Sequence, residues 1–167
     1  MAISSFLSSS YQKNGNKILK SWVKNSSLWD YNLIFIPMLR NSHWTLVTLD
    51  PKALTVNHYN SINGKVKDGE SIRFVFDFIK AFILFESQKS NKSISFDEWK
   101  FISNSNIPQQ DNNFDCGVFV CTYAKFLCLK INFNFQQTDM QEIRSLMHSE
   151  MLNMELIKDN KLFISSS

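Results

Sequence analysis

The chain has 167 residues, 44% of them hydrophobic and 14% aromatic, with 18 Lys and Arg against 15 Asp and Glu for a net charge of +3. That length fits one domain of about 100–200 residues, and so aromatic a composition excludes a mainly disordered chain. The apolar runs at 33–39 and 74–85 are too short to span a bilayer, and the mild, lysine-borne basic excess marks no nucleic-acid surface.

In chain order, residues 4–10 are serine-rich and expected to be loose, as is the end at 163–167. Residues 17–24 read as a helix, with Ile18, Leu19, Trp22 and Val23 opposite a solvated row of Lys17, Lys20 and Lys24. The continuously apolar run 33–37 reads as a buried strand. Residues 44–49 and 54–59 read as a hairpin turned by Asp50-Pro51-Lys52, with another turn at Asn63-Gly64. Ile72, Val75, Phe76, Ile79, Phe82 and Ile83 predict a helix over 71–85. A polar loop at 89–92 and a strand over 96–102 follow. After Pro108 a polar loop leads to Cys116, then an almost wholly apolar helix over 118–129. The last helix covers about 139–157, with Thr138 and Gln141 as its capping box. Strands and helices without strict alternation predict an α+β fold with a mixed sheet between helices.

Cys116, Cys121 and Cys128 lie too close together for a secreted disulfide scaffold, and no secretory signal opens the chain at Met1. A reducing compartment is expected. Three distant features carry chemistry: His43-Trp44 opening a strand, Asn60 ending the next, and Asp115-Cys116-Gly117 opening a helix. Only a thiolate is a good nucleophile, and the positive end of a helix favours it. A nearby histidine takes the proton and later returns it to the leaving amine. A third group fixes the imidazole's tautomer, and asparagine serves in Cys-His-Asn sites. Gln110, six residues before Cys116, is within reach as an oxyanion donor. Gly117 allows backbone and substrate to approach closely. On spacing alone, a packing cysteine and a structural histidine carry more weight. His58 and His148 take that structural reading, and Cys121, Cys128 and Trp99 read as core. No metal-ligand spacing, Walker loop or dinucleotide fingerprint is present in the sequence, so neither metal nor cofactor is expected.

The string Pro108-Gln109-Gln110-Asp111-Asn112-Asn113-Phe114-Asp115-Cys116-Gly117-Val118-Phe119-Val120-Cys121 resembles the cysteine-loop signature of the SUMO-specific (sentrin-specific) proteases. These are cysteine peptidases related to the adenovirus protease. Leu33-Ile34-Phe35-Ile36-Pro37 followed by His43-Trp44, then Tyr59-Asn60-Ser61, resemble further blocks of that family in the same order. The stretch from Phe133 to Met140 resembles the one before its terminal helix, so the likeness covers about residues 5–157.

The resemblance implies a papain-like α+β fold and a single catalytic domain over 1–167, its core at about 28–157. It implies hydrolysis of the peptide or isopeptide bond after the Gly-Gly tail of a ubiquitin-like modifier, SUMO foremost. The expected enzyme is a monomer of the nucleus or cytoplasm, acting without nucleic acid or membrane. By position, Cys116 corresponds to the nucleophile, His43 to the general base, Asn60 to the third member and Gln110 to the oxyanion donor. Trp44 corresponds to a wall of the channel for the tail, with Gly117 and Asp115 also at the substrate. Two features depart from the family pattern. Asn60 stands where the family has aspartate, and the usual N-terminal segment, whose tryptophan forms the other channel wall, is not found before Ser4. Both motivate a second reading: a weakened relative that binds a ubiquitin-like modifier without cleaving it. A third is a peptidase for another modifier or for ordinary polypeptides.

Overall fold

Alternating side chains put every second residue of a strand on the same face, and here both faces are apolar, so both must be covered. The computed structural model, which describes residues 1–19, 27–62 and 69–157, shows how. Its main elements are α1 (Phe6–Asn14), β1 (Ile34–Arg40), β2 (His43–Asp50), β3 (Thr55–Tyr59), α2 (Gly69–Lys89), β4 (Lys100–Asn104), α3 (Cys116–Leu129) and α4 (Met140–Asn153). The strands form one mixed sheet in the order β1-β2-β3-β4, antiparallel except for the parallel β3–β4 pair. Ile34, Ile36, Met38, Val47, Leu49 and Val56 pack with Val75, Phe78, Ile79, Phe82 and Ile83 of α2 and with Leu7 of α1. Leu46 and Tyr59, from the opposite face, pack with Val118, Phe119, Tyr123 and Phe126 of α3 and with Ile143 of α4. The α+β expectation with a mixed sheet between helices therefore holds.

Two turns set the register. Arg40 pairs with His43 across β1 and β2, so Asn41 and Ser42 make a two-residue hairpin turn. Their φ angles of 49° and 61° are the left-handed pair whose twist matches that of the flanking strands. Between β2 and β3, Asp50 Oδ1 accepts the N–H groups of Lys52 and Ala53 at 2.9 and 2.8 Å. This is the short-side-chain turn chemistry expected of aspartate.

Several expectations need correction. The serine-rich residues 4–10 are not loose. Ile3 N–H bonds to Phe35 O at 2.8 Å along the edge of β1, and α1 buries Leu7 in the core. One buried leucine anchors what composition alone reads as flexible. Of the helix predicted over 17–24, Lys17 and Ile18 belong to a 3-10 turn (Gly15–Ile18), and residues 20–26 lie outside the described residues, as do Asn63-Gly64 and 163–167. Residues 96–102 divide into a 3-10 turn (Phe96–Glu98) and the start of β4. The capping box before the last helix is formed by Gln136 and Asp139, not Thr138 and Gln141, and α4 stops at Asn153. Cys121 and Cys128 are exposed rather than core. They lie seven residues apart on one side of α3, while Val118, Phe119, Tyr123 and Phe126 carry the face packed with Leu46 and Tyr59 of the sheet. Trp99 is buried, edge-on to Trp29, as expected.

Candidate active site

The tight Asn41-Ser42 turn makes His43 the first residue of β2, and Asn60 directly follows the end of β3 at Tyr59. His43 Nε2 lies 2.8 Å from Asn60 Oδ1. The same oxygen accepts Ile62 N–H at 3.0 Å. Reversing the amide would aim its NH2 at that backbone donor, so the network assigns oxygen to this position. An oxygen can only accept. Nε2 of the neutral imidazole therefore carries the hydrogen, and Nδ1 keeps the lone pair that a base needs.

Cys116 is the first residue of α3, where backbone N–H groups have no partner within the helix. Its neighbour Gly117 faces Trp44, the neighbour of His43: a methyl added at Gly117 would lie 3.8 Å from Trp44 Cδ1. Gly117, next to Cys116, and Trp44, next to His43, thus approach each other, as β2 packs directly on α3. A groove of about 500 Å³ opens there, lined by Trp44, Phe114, Gly117, Val118, Cys121 and Met147 among others. Most of this lining is apolar.

The loop before the nucleophile position is held from both ends. Gln110 N–H donates to Ser61 O at 2.8 Å, and Gln110 Nε2 donates to Asn112 O at 2.6 Å. Gln109 Nε2 donates to Asn60 O at 3.2 Å. Tyr123, buried in α3, donates its hydroxyl to Pro108 O.

Asp115 is buried, and both carboxylate oxygens are taken: Oδ1 by Arg144, Oδ2 by Asn112 Nδ2 at 2.7 Å and Gln137 Nε2 at 2.8 Å. Burial pushes this carboxyl up, but hydrogen bonds from Asn112, Arg144 and Gln137, with the Arg144 charge, outweigh it and hold it below the usual range. Asp115 thus faces its own loop and α4, with no oxygen turned to the groove. His58, two residues before Asn60, is buried with neither ring nitrogen hydrogen-bonded among the described residues. Burial first, and the nearby His43 second, push it down to about 4. The structural reading of His58 fits this burial, whereas His148 is exposed.

Residues 4–156 match the Ulp1 protease family, C-terminal catalytic domain. The chain belongs to the Ulp1 protease family. Among its relatives, sentrin-specific protease 5 of Mus musculus is 31% identical over 139 residues, covering 83% of this chain and 18% of that protein. Sentrin-specific protease 2 of Rattus norvegicus is 29% identical over 159 residues, covering 93% of the chain and 26% of that protein. The chain therefore spans about a quarter or less of the length of these curated relatives. The fold matches the X-ray structure of the C-terminal Ulp1 protease domain in complex with Smt3, the yeast ortholog of SUMO. The TM-score is 0.77 at 24% identity, covering 92% of this chain and 67% of that one.

Sequence reasoning missed the residues that hold this family's loop in place here. Ser61 was visible within Tyr59-Asn60-Ser61, but nothing local tied it to Gln110. Arg144 lies 29 residues from Asp115 and carries no local signal of that pairing.

Proposed function

We propose that the chain is a cysteine peptidase that hydrolyses the peptide or isopeptide bond after the Gly-Gly tail of a ubiquitin-like modifier, SUMO foremost. The observation that carries this reading is the Asn60 amide oxygen on His43 Nε2. It leaves Nδ1 of His43 as the base for a thiol placed at the start of α3. The relatives' names point to the substrate class.

In this reading Cys116 Sγ, its proton taken by His43, attacks the carbonyl carbon of the terminal glycine. The carbonyl pair moves onto oxygen, and a Gln110 N–H stabilises that charge. When the C–N bond breaks, His43 gives its proton to the leaving amine and a thioester remains on Cys116. Water, deprotonated by His43, then releases the tail as a carboxylate and restores the thiol. No cofactor takes part.

The tail lies in the groove between Trp44 and Gly117, where residues without side chains fit best. Asp115, placed at the substrate by position alone, becomes a positioning residue whose carboxylate holds Asn112, Arg144 and Gln137. A thiol nucleophile suits the nucleus or cytoplasm.

The binding-only alternative rests on Asn60 and on the N-terminal departure; the Asn60 amide here makes the tautomer assignment a carboxylate would make. The test is turnover of a SUMO C-terminal fluorogenic substrate. The wild-type chain should release fluorophore and Cys116→Ala should not. Tight SUMO binding with no turnover would favour the binding-only reading instead.

A further inference from the structure

We propose that Ser61 is a positioning residue that holds the Gln110 side chain as an oxyanion donor, an inference that rests on the peptidase reading above. Ser61 is 1% exposed, and two bonds tie it to Gln110. Gln110 N–H donates to Ser61 O at 2.8 Å, and Ser61 Oγ donates to Gln110 Oε1 at 2.6 Å. A primary amide has one carbonyl oxygen and two N–H donors. With Oε1 turned to the hydroxyl, the NH2 end points the other way, where one hydrogen goes to Asn112 O at 2.6 Å. The second N–H has no protein acceptor among the described residues. The reversed amide would set Oε1 against the Asn112 carbonyl, acceptor against acceptor, so Asn112 O fixes which end faces which way, and the Ser61 hydroxyl anchors the Oε1 end.

Ser61 directly follows Asn60. One dipeptide just after β3 therefore anchors two groups: the His43 imidazole through Asn60 Oδ1, and the Gln110 amide through Ser61. Gln109 closes the arrangement by donating to Asn60 O at 3.2 Å. The base and the oxyanion donor are held in a common frame, in keeping with the tolerance of a few tenths of an ångström that such constellations need. Alanine at 61 removes only the hydroxyl arm. The backbone bond to Gln110 and the Nε2 bond to Asn112 O stay, while the Oε1 end loses its anchor and the second N–H swings away from a developing oxyanion about the bond that remains.

The test is a double-mutant cycle with Ser61→Ala, Gln110→Ala and the double variant. Turnover of a SUMO C-terminal fluorogenic substrate is measured beside the rate at which iodoacetamide alkylates Cys116. Alkylation reads the thiol and His43 and forms no oxyanion, and a wild-type rate also reports an intact fold. Ser61→Ala should lower kcat about tenfold, leave KM within about twofold and leave alkylation unchanged. In the Gln110→Ala background, Ser61→Ala should cost nothing further. An unchanged kcat in Ser61→Ala, fully multiplicative losses in the double variant, or a parallel fall in alkylation would each overturn the role. A wild-type chain that turns nothing over would instead overturn the peptidase reading, and this inference with it.

Discussion

Asn60 Oδ1 accepts from His43 Nε2 at 2.8 Å and, at the same oxygen, from Ile62 N–H at 3.0 Å. The second donor is what makes an amide sufficient for this task. In a serine triad, replacing the aspartate by asparagine is severe because the amide can hold the wrong tautomer. Here the backbone of Ile62 removes that freedom. What the amide lacks is charge opposite the imidazolium.

Substitutions at Asn60 separate these two contributions. Asn60→Ala removes the acceptor and should lower kcat at least tenfold with KM little changed. Asn60→Asp keeps both bonds and adds a charge. Charge-assisted hydrogen bonds are about twice as strong as neutral ones, so kcat should rise about fivefold, equivalent to about 1 kcal/mol. Steady-state kinetics of the two variants check this, and a fall in Asn60→Asp would mean that the site is tuned to a neutral third member.

Gly117→Ala should uncouple stability from activity. The added methyl makes ordinary contact with Trp44 Cδ1 at 3.8 Å, so nothing has to move. Alanine also favours a helix over glycine by about 0.8–1 kcal/mol. The melting temperature should hold or rise by a few degrees. The same methyl narrows the groove, so kcat/KM for a Gly-Gly tail should fall about tenfold or more. Thermal unfolding together with kinetics decides, and undiminished kcat/KM would place the tail elsewhere.

His58 predicts an acid-side loss of stability. Burial, then the nearby His43, lower it from an ordinary 6.5 to about 4. Above 6.5 both folded and unfolded chains hold it neutral, and its contribution is complete. As pH falls from 6.5 to 4 the unfolded chain binds a proton that the folded chain refuses, a loss of about 3 kcal/mol in all. His58→Phe, packing against Phe76 where the imidazole does now, should flatten the urea-unfolding free energy across that interval. Asp115 acts lower down: held below the usual carboxylate range, it stabilises the fold above about pH 4 and loses that contribution beneath it. A slope between 6.5 and 4 that survives in His58→Phe would assign it to other groups.

Periodicity carried much of the architecture. The apolar face of α2, the β2–β3 hairpin and the apolar run of β1 are local patterns, and each appears close to where the sequence placed it. Residues 4–10 show the limit of composition, because the edge pairing of Ile3 with Phe35 is a long-range event. Cys121 and Cys128 show the limit of hydrophobicity. A helix apolar on all sides is buried on the side that meets the sheet, and only the register of α3 against β2 selects which. The contact between His43 and Asn60 was foreshadowed by resemblance, whereas the bonds that orient both Asn60 and Gln110 come from Ile62 and Ser61. Hydrogen-bonding groups of this kind are present in almost any sequence, and only the fold says which are aimed at a site.

The most direct measurement is labelling of the wild-type chain by a SUMO probe that ends in a Gly-Gly vinyl sulfone, with the modified residue located by peptide mass spectrometry. Cys121 lines the groove beside Trp44 and Gly117 and is exposed whereas Cys116 is buried, so the experiment offers a real competitor. The expected result is one adduct, on Cys116, absent from Cys116→Ala and slowed in Asn60→Ala. Labelling on Cys121, or no adduct at all from a folded chain that binds SUMO, would contradict the assignment of Cys116 as the nucleophile.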